Sequence, residues 1–154
     1  MFKRFLVVNN ISKKNNIFAL CVTAAAHSFS VLFSTPGLLN DITLELLRVK
    51  GLTWMTFESF ECVKNFLKDR SIDLVGIEIM ENSIPFQLFP YTSEIAFLPG
   101  NEGTGLNGKQ KNLCDKFIYI PQFGAGTASL NVNVATGIIL NEYCATVRRL
   151  HNSL

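Results

Sequence analysis

Two glycine-bearing stretches in the last third of the chain hold the residue types from which a ligand site can be built. One runs through Gly100-Asn101-Glu102-Gly103-Thr104-Gly105-Leu106; the other runs from Ile118 to Ala135, IYIPQFGAGTASLNVNVA. Each is an apolar strand-like run that breaks into a glycine turn, and the second opens directly into an apolar helical pattern. Gly100, Gly103 and Gly105 permit positive φ and let a ligand approach the backbone with no Cβ in the way, so bare N–H and C=O groups can hold it. A flat polar molecule such as an adenine suits that wall. Asn101 and Glu102 stand inside the turn, where they can tie it down or reach a partner. In the second stretch Gly124 and Gly126 precede Thr127 and Ser129. Ser129 is placed to cap the helix that Leu130 starts, and Asn131 falls in that helix's first turn. Either turn alone fits an ordinary strand-to-helix connection; two of them so close together point to a ligand.

These turns need strands behind them and helices beside them. Phe5 to Val8 reads as a buried parallel strand, and Asn16 opens an alanine-rich segment to Ser28 that predicts a helix. Phe29 to Phe33 is strand-like and ends at a Pro36-Gly37 turn. Asp41 to Lys50 has a loose helical pattern that Gly51 can stop. Ser59 caps a predicted helix through Lys68, with Phe60, Val63, Phe66 and Leu67 in one stripe and Glu61 in the first turn, where negative charge is favoured. Ile72 to Ile79, Glu94 to Leu98 and Phe117 to Ile120 follow as strands, and a last helix spans about Leu130 to Leu150. Alternating apolar strands and helices predict an α/β parallel sheet with ligand loops at the strand C-terminal ends.

At 154 residues, 48% hydrophobic and 17% charged, the chain reads as one folded domain over residues 1–154 with no appended RNA-binding domain. A net charge of +2 does not by itself mark a nucleic-acid binder, and Lys3-Arg4, Lys13-Lys14, Lys109 with Lys111, and Arg148-Arg149 read as solvated surface. The four cysteines, Cys21, Cys62, Cys114 and Cys144, are far apart in the chain and His27 and His151 are the only histidines, so no metal is expected. Reduced thiols fit an intracellular protein, with the cytoplasm as first expectation and the nucleus and an organelle matrix left open. The apolar run at the N-terminus is interrupted by Asn9, Asn10, Lys13 and Lys14 and is too short for a membrane span.

The two glycine stretches together resemble motifs two and three of the SpoU (TrmH-like) branch of the SPOUT RNA methyltransferases. That branch carries G-N-E-G-x-G-[LI] after a strand, then a strand ending I-P, a glycine- and serine-bearing loop, and S-L-N-V-[SN]-V-A. Here these are Gly100 to Leu106, Ile120-Pro121-Gln122, and Ser129-Leu130-Asn131-Val132-Asn133-Val134-Ala135. The resemblance implies a parallel α/β sheet with a deep C-terminal trefoil knot, S-adenosylmethionine bound in the knot with S-adenosylhomocysteine as product, and a homodimer. It also implies transfer of a methyl group to a ribose 2′-oxygen of tRNA or rRNA. Carried over by motif, the cofactor is expected against Leu98, Gly100, Ile120, Gln122, Ser129 and Leu130, with Glu78 and Ile79 closing over it. Glu102, Ser129, Asn131 and Asn16 are expected to shape the catalytic site.

The resemblance extends to the family's first motif, N-[IL]-G-x-x-x-R-[TS]-A-x-x-[FA]-G, and departs from it there. Asn16, Ile17, Thr23 and Ala24 match, but Phe18 and Ser28 replace glycines and Val22 replaces the arginine expected to serve or orient the base. Valine can neither accept a proton nor bind phosphate. His27 lies about one and a half turns further along a helix, on another face, and reads as a surface or satisfied histidine. The alternative function is therefore a catalytically weak or inactive SpoU-like subunit that still binds cofactor or RNA. A third reading comes from Gly103 to Lys109, which fits the nucleotide-binding pattern G-x-x-x-x-G-K. Gln110 then stands where a magnesium-holding Ser or Thr belongs.

Overall fold

The computed structural model describes residues 3–34, 45–126 and 129–153. The Pro36-Gly37 turn, the start of the Asp41 segment and Thr127 lie outside them. Among the described residues seven strands form one sheet: β1 (Arg4–Val8), β2 (Ser30–Phe33), β3 (Trp54–Thr56), β4 (Leu74–Ile77), β5 (Ile84–Pro85), β6 (Ile95–Pro99) and β7 (Lys116–Tyr119), in the order β3-β2-β1-β6-β4-β7-β5. Every pairing is parallel, with Leu6 beside both Val31 and Phe97, and Gly76 beside both Leu98 and Phe117. The helices whose bounds fall among the described residues are α1 (Lys14–Ala26), α2 (Phe60–Lys68), α3 (Gly108–Leu113) and α4 (Val132–Asn152).

Alternation along the strands sorts the core into two layers. Leu6, Val8, Val31, Phe33, Val75, Phe97 and Ile118 pack with Ile17, Leu20 and Ala24 of α1 and Ile139, Leu140 and Tyr143 of α4. Phe5, Val7, Leu32, Leu74, Ala96, Leu98 and Phe117 pack with Phe60, Val63 and Leu67 of α2. Both faces of the sheet are covered, which is why its strands are apolar throughout rather than alternating. Gly76, in the centre of the sheet, is fixed by packing: a Cβ there would stand 2.9 Å from Leu106 Cδ1 and from Phe117 Cδ1.

The α2 helix begins where the sequence places it, with Ser59 Oγ accepting from the Cys62 N–H at 3.2 Å. The last helix starts later than expected. Its N-cap is Asn131, whose Oδ1 accepts from the N–H groups of Asn133 and Val134, so Ser129 lies in the preceding loop and Asn131 outside the helix. An Asn side chain reaches the N2 and N3 donors as well as a serine does, and it sits next to the first apolar residue of the stripe, Val132.

Candidate functional site

The strand order reverses between β1 and β6, and the loops leaving their C-terminal ends meet there, as ligand loops do in open parallel sheets. The turn after β6 is tightly built. Asn101 Oδ1 accepts from the N–H groups of Gly103 and Thr104 at 2.9 and 3.2 Å. Asn101 and Gly105 exchange backbone hydrogen bonds, and Leu106 N–H donates to Glu78 Oε2 at 2.8 Å. Gly105 has φ +69° and its α-carbon faces the Glu78 carboxylate. At Gly100 a Cβ would lie 2.8 Å from the Gly105 carbonyl carbon. Close backbone approach explains Gly100 and a left-handed φ explains Gly105, while Gly103 has neither constraint.

This corrects the expectation of bare donors. The N–H groups of Asn101, Gly103, Thr104, Gly105 and Leu106 are all spent internally, so the turn offers a ligand carbonyl oxygen, which can accept a further bond, rather than N–H. With Glu78 and Glu102 both lining the cleft beside it, it favours hydrogen-bond donors and positive charge and disfavours phosphate. The nucleotide-hydrolase reading fails on this point. It fails again at its lysine, because Gly108 and Lys109 start α3, Lys109 pairs with Glu61, and Gln110 is buried in a capping box with Asn107.

Glu102 reaches the start of α1. Its carboxylate accepts from Ser12 N–H at 3.1 Å, Lys13 N–H at 2.8 Å and Asn16 Nδ2 at 3.1 Å, supplying negative charge to a helix start whose own N-cap, Lys13, makes no side-chain bond. Partial burial pushes this carboxyl up, but hydrogen bonds from its own backbone, Asn16, Lys13 and Ser12 outweigh that and hold it at about 2. Asn16 Oδ1 in turn accepts from Asn131 Nδ2 at 3.5 Å. Asn16, Glu102 and Asn131, from three separate segments, thus form one hydrogen-bonded chain.

Beside that chain lie two adjoining cavities. The larger, of about 280 Å³, is walled by residues 99–105 with Ile77, Glu78, Ser129, Leu130, Val132, Ala135 and Thr136. The smaller, of about 130 Å³, is walled by Glu78, Ile79, Ile120, Gln122, Ser129 and Leu130, together with Ile77, Tyr119 and Ala135. They share Ile77, Glu78, Ser129, Leu130 and Ala135 and make a single cleft at the C-terminal ends of β4, β6 and β7. Of the cofactor contacts expected from the sequence, Leu98 alone walls neither cavity; it is fully buried among the side chains facing α2. The sequence reading missed Ile77, Pro99, Tyr119 and Thr136. The first three are the last residues of their strands, and Thr136 follows Val132 by one helical turn, so strand ends and helical spacing were the available signals.

Val22 is 44% exposed on α1, and Phe18 packs against the core. His27 is held by its own helix, with Nδ1 2.8 Å from the Thr23 carbonyl. Burial pushes the Cys21 thiol to about 12, and burial reinforced by Asp115 does the same for Cys114, so neither is a ready nucleophile. Among the described residues no group of three or more His, Cys, Asp or Glu side chains could hold a metal, and no helix is long and apolar enough to cross a membrane.

A parallel sheet covered on both faces, with a cleft at its strand C-termini lined by a glycine turn, Glu78 and Glu102, defines an α/β domain with a ligand-sized cleft at the end of its sheet. The chain matches the SpoU rRNA Methylase family over residues 3–141 and belongs to it. It is 37% identical over 73 residues to the 23S rRNA (guanosine-2′-O-)-methyltransferase RlmB of Acinetobacter baylyi, a match covering 47% of this chain and 29% of that protein. It is 39% identical over 75 residues to the tRNA (guanosine(18)-2′-O)-methyltransferase of Aquifex aeolicus, covering 49% of this chain and 35% of that one. In each case the matched stretch is about a third of the relative's length. The fold is similar to the SpoU methyltransferase AviRb of Streptomyces viridochromogenes, solved in complex with the cofactor AdoMet, with TM-score 0.76 and 24% identity over 95% of this chain and 58% of that chain.

Proposed function

We propose that the chain binds S-adenosylmethionine in the cleft between the β6 turn and the Ile120–Asn131 loop, and that it methylates a ribose 2′-oxygen of a tRNA or rRNA. The observation that carries this reading is the cleft's lining: the glycine turn with Glu78 and Glu102 on one side, and Ile79, Ile120 and Leu130 on the other. Such a site matches a ligand with an apolar-faced adenine, donor groups and a cationic centre, and it repels a triphosphate. The bound cofactor would supply an electrophilic methyl group.

The chain's own residues then have distinct tasks. Ile79, Ile120 and Leu130 exclude water from the cofactor side. Asn16 and Asn131, joined through their amides and anchored by Glu102, orient the attacking hydroxyl at the cleft's edge, and Ser129 offers a hydroxyl beside it. Glu102 does not serve as the base: a carboxyl held at about 2 has little affinity for a proton at neutral pH. Val22 cannot replace it, so the hydroxyl's proton leaves to water or to a basic group of a second subunit. The same valine is the specific ground for the second reading, a weak or silent subunit that retains the cofactor cleft.

A homodimer and a threaded C-terminal knot belong to the same proposal. Val134 and Ile138 on the outer face of α4, 49% and 37% exposed, offer an apolar surface for a second copy, and sedimentation equilibrium tests for it. Calorimetric titration with S-adenosylmethionine and S-adenosylhomocysteine, followed by labelled methyl transfer into tRNA and rRNA pools, tests the function. Binding with transfer supports the enzyme, binding without transfer supports the second reading, and absence of binding overturns both.

A further inference from the structure

Below the β6 turn lies a buried amide that the proposed chemistry does not use. Gln110 is 1% exposed. Its Oε1 accepts from Asn107 N–H at 2.9 Å and its backbone N–H donates to Asn107 Oδ1, which completes the cap of α3. That cap needs nothing from Nε2, yet Nε2 donates to Asn9 Oδ1 at 2.7 Å and to the Asn9 carbonyl at 3.3 Å. Asn9 Nδ2 continues to Ser34 Oγ, 2.7 Å away and 6% exposed, at the end of β2.

The next residue, Asn10, has φ +59°, a left-handed conformation that costs energy for a residue with a Cβ. Its carbonyl accepts from Asn101 Nδ2 at 2.7 Å. Two side-chain amides from the segment after β6 therefore grip the strained β1–α1 turn at consecutive residues. Immediately beyond the turn come Ser12, Lys13 and Asn16, the groups that meet Glu102.

We propose that Gln110 is a positioning residue: through Asn9 it locks the β1–α1 turn so that Asn16 is delivered to Glu102 and Asn131. This rests on the methyltransferase reading for its consequence, but the lock itself is a property of the unliganded chain. A merely structural role, filling space and capping α3, would not need the Asn9 bond.

Gln110→Met keeps the length and volume of the side chain and removes the amide. Hydrogen exchange in the unliganded protein is expected to speed up roughly tenfold or more at the Ser12 and Lys13 amides, while amides of β4 and β6 keep their protection. The Asn16 and Asn131 side-chain NH₂ resonances should shift together. Asn9→Ala, which leaves the α3 cap intact, is expected to give the same local signature, and the double variant to add little to either. Uniform loss of protection across the sheet, or no change at Ser12 and Lys13 in Asn9→Ala, overturns the proposal; if Gln110→Met fails to fold, Asn9→Ala decides alone. Where the wild-type protein transfers methyl groups, kcat in Asn9→Ala should fall roughly tenfold with the S-adenosylmethionine dissociation constant held within about twofold. Where it transfers none, the methyltransferase reading fails and the exchange pattern still judges the lock.

Discussion

The turn after β6 and the loop after β7 both carry closely spaced glycines, yet Gly100 and Gly105 are held by close backbone contact or positive φ, whereas Gly124 and Gly126 have positive φ at neither position and nothing within 4 Å of a built Cβ. The first turn spends its N–H groups on Asn101, Gly105 and Glu78. The second region shows solvent large apolar side chains, Phe123 at 93% and Leu130 at 40% exposure. One wall of the cleft is pre-organised and the other is open. The proposed ligand, held between them, would gain orientation from the first at little ordering cost.

Breaking the rigid wall should cost most. Gly100→Ala puts a methyl group against the Gly105 and Leu106 backbone, atoms that cannot swing aside as a side chain end can. We expect a loss of about 1–3 kcal/mol in urea unfolding, the usual cost of overpacking, together with loss of S-adenosylmethionine binding by calorimetry. A stability equal to the wild type's would mean that the turn relaxes freely and is not the fixed wall described.

The same contrast explains what could be read from the chain alone. Ser59 and the Phe60, Val63, Leu67 stripe were legible because capping and helical periodicity are local. The apolar strands β1, β4, β6 and β7 were legible because burial on both faces leaves uninterrupted hydrophobic runs. Trp54–Thr56 and Ile84–Pro85 were not: short strands at the sheet's edges, with mixed exposure, carry no period to detect. Nor was α3, six residues opening with Gly108-Lys109, whose cap pairs Asn107 with Gln110. At the site, the motif residues were legible but their hydrogen-bond partners were not, because Glu78 acts on Leu106 and Glu102 on Ser12 across 28 and 90 residues of sequence.

Glu102, held at about 2, is no ready proton acceptor at neutral pH, which makes α1 the place to sharpen the comparison. Val22→Arg, at a position 44% exposed, should leave the unfolding free energy within about 0.5 kcal/mol of the wild type. It should raise methyl transfer to RNA roughly a hundredfold, the low end of what a positioned proton-transfer group contributes. No gain, with cofactor binding intact, would show that the valine is not what limits the reaction.

Glu102 tests whether the rigid turn also sets α1. Its carboxyl ordinarily titrates near 4.5 and is held at about 2 in the fold, so the stability it contributes is fully present above about pH 4.5 and is lost as pH falls toward 2. Glu102→Gln keeps the shape, removes the charge and leaves fewer acceptor sites for the Ser12, Lys13 and Asn16 donors. It should cost about 1 kcal/mol at pH 7, in line with the loss of a helix cap, and its unfolding free energy should fall less steeply between pH 4.5 and 2 than that of the wild type. Parallel acid limbs in the two proteins would show that the carboxylate's bonds are not kept in solution.

The smallest effect belongs to the open side. Gly124→Ala and Gly126→Ala add methyl groups that meet nothing within 4 Å, at positions without a left-handed φ, so stability should move by less than about 0.5 kcal/mol in either direction. A slight gain is the natural sign, because alanine narrows the unfolded ensemble more than it constrains an open loop. The informative quantity is then the S-adenosylhomocysteine dissociation constant. If the loop folds onto the ligand through conformations that only glycine reaches, affinity will drop in these variants although stability does not. If affinity is unchanged, the loop closes in its present backbone shape, and the two walls differ in exposure but not in rigidity.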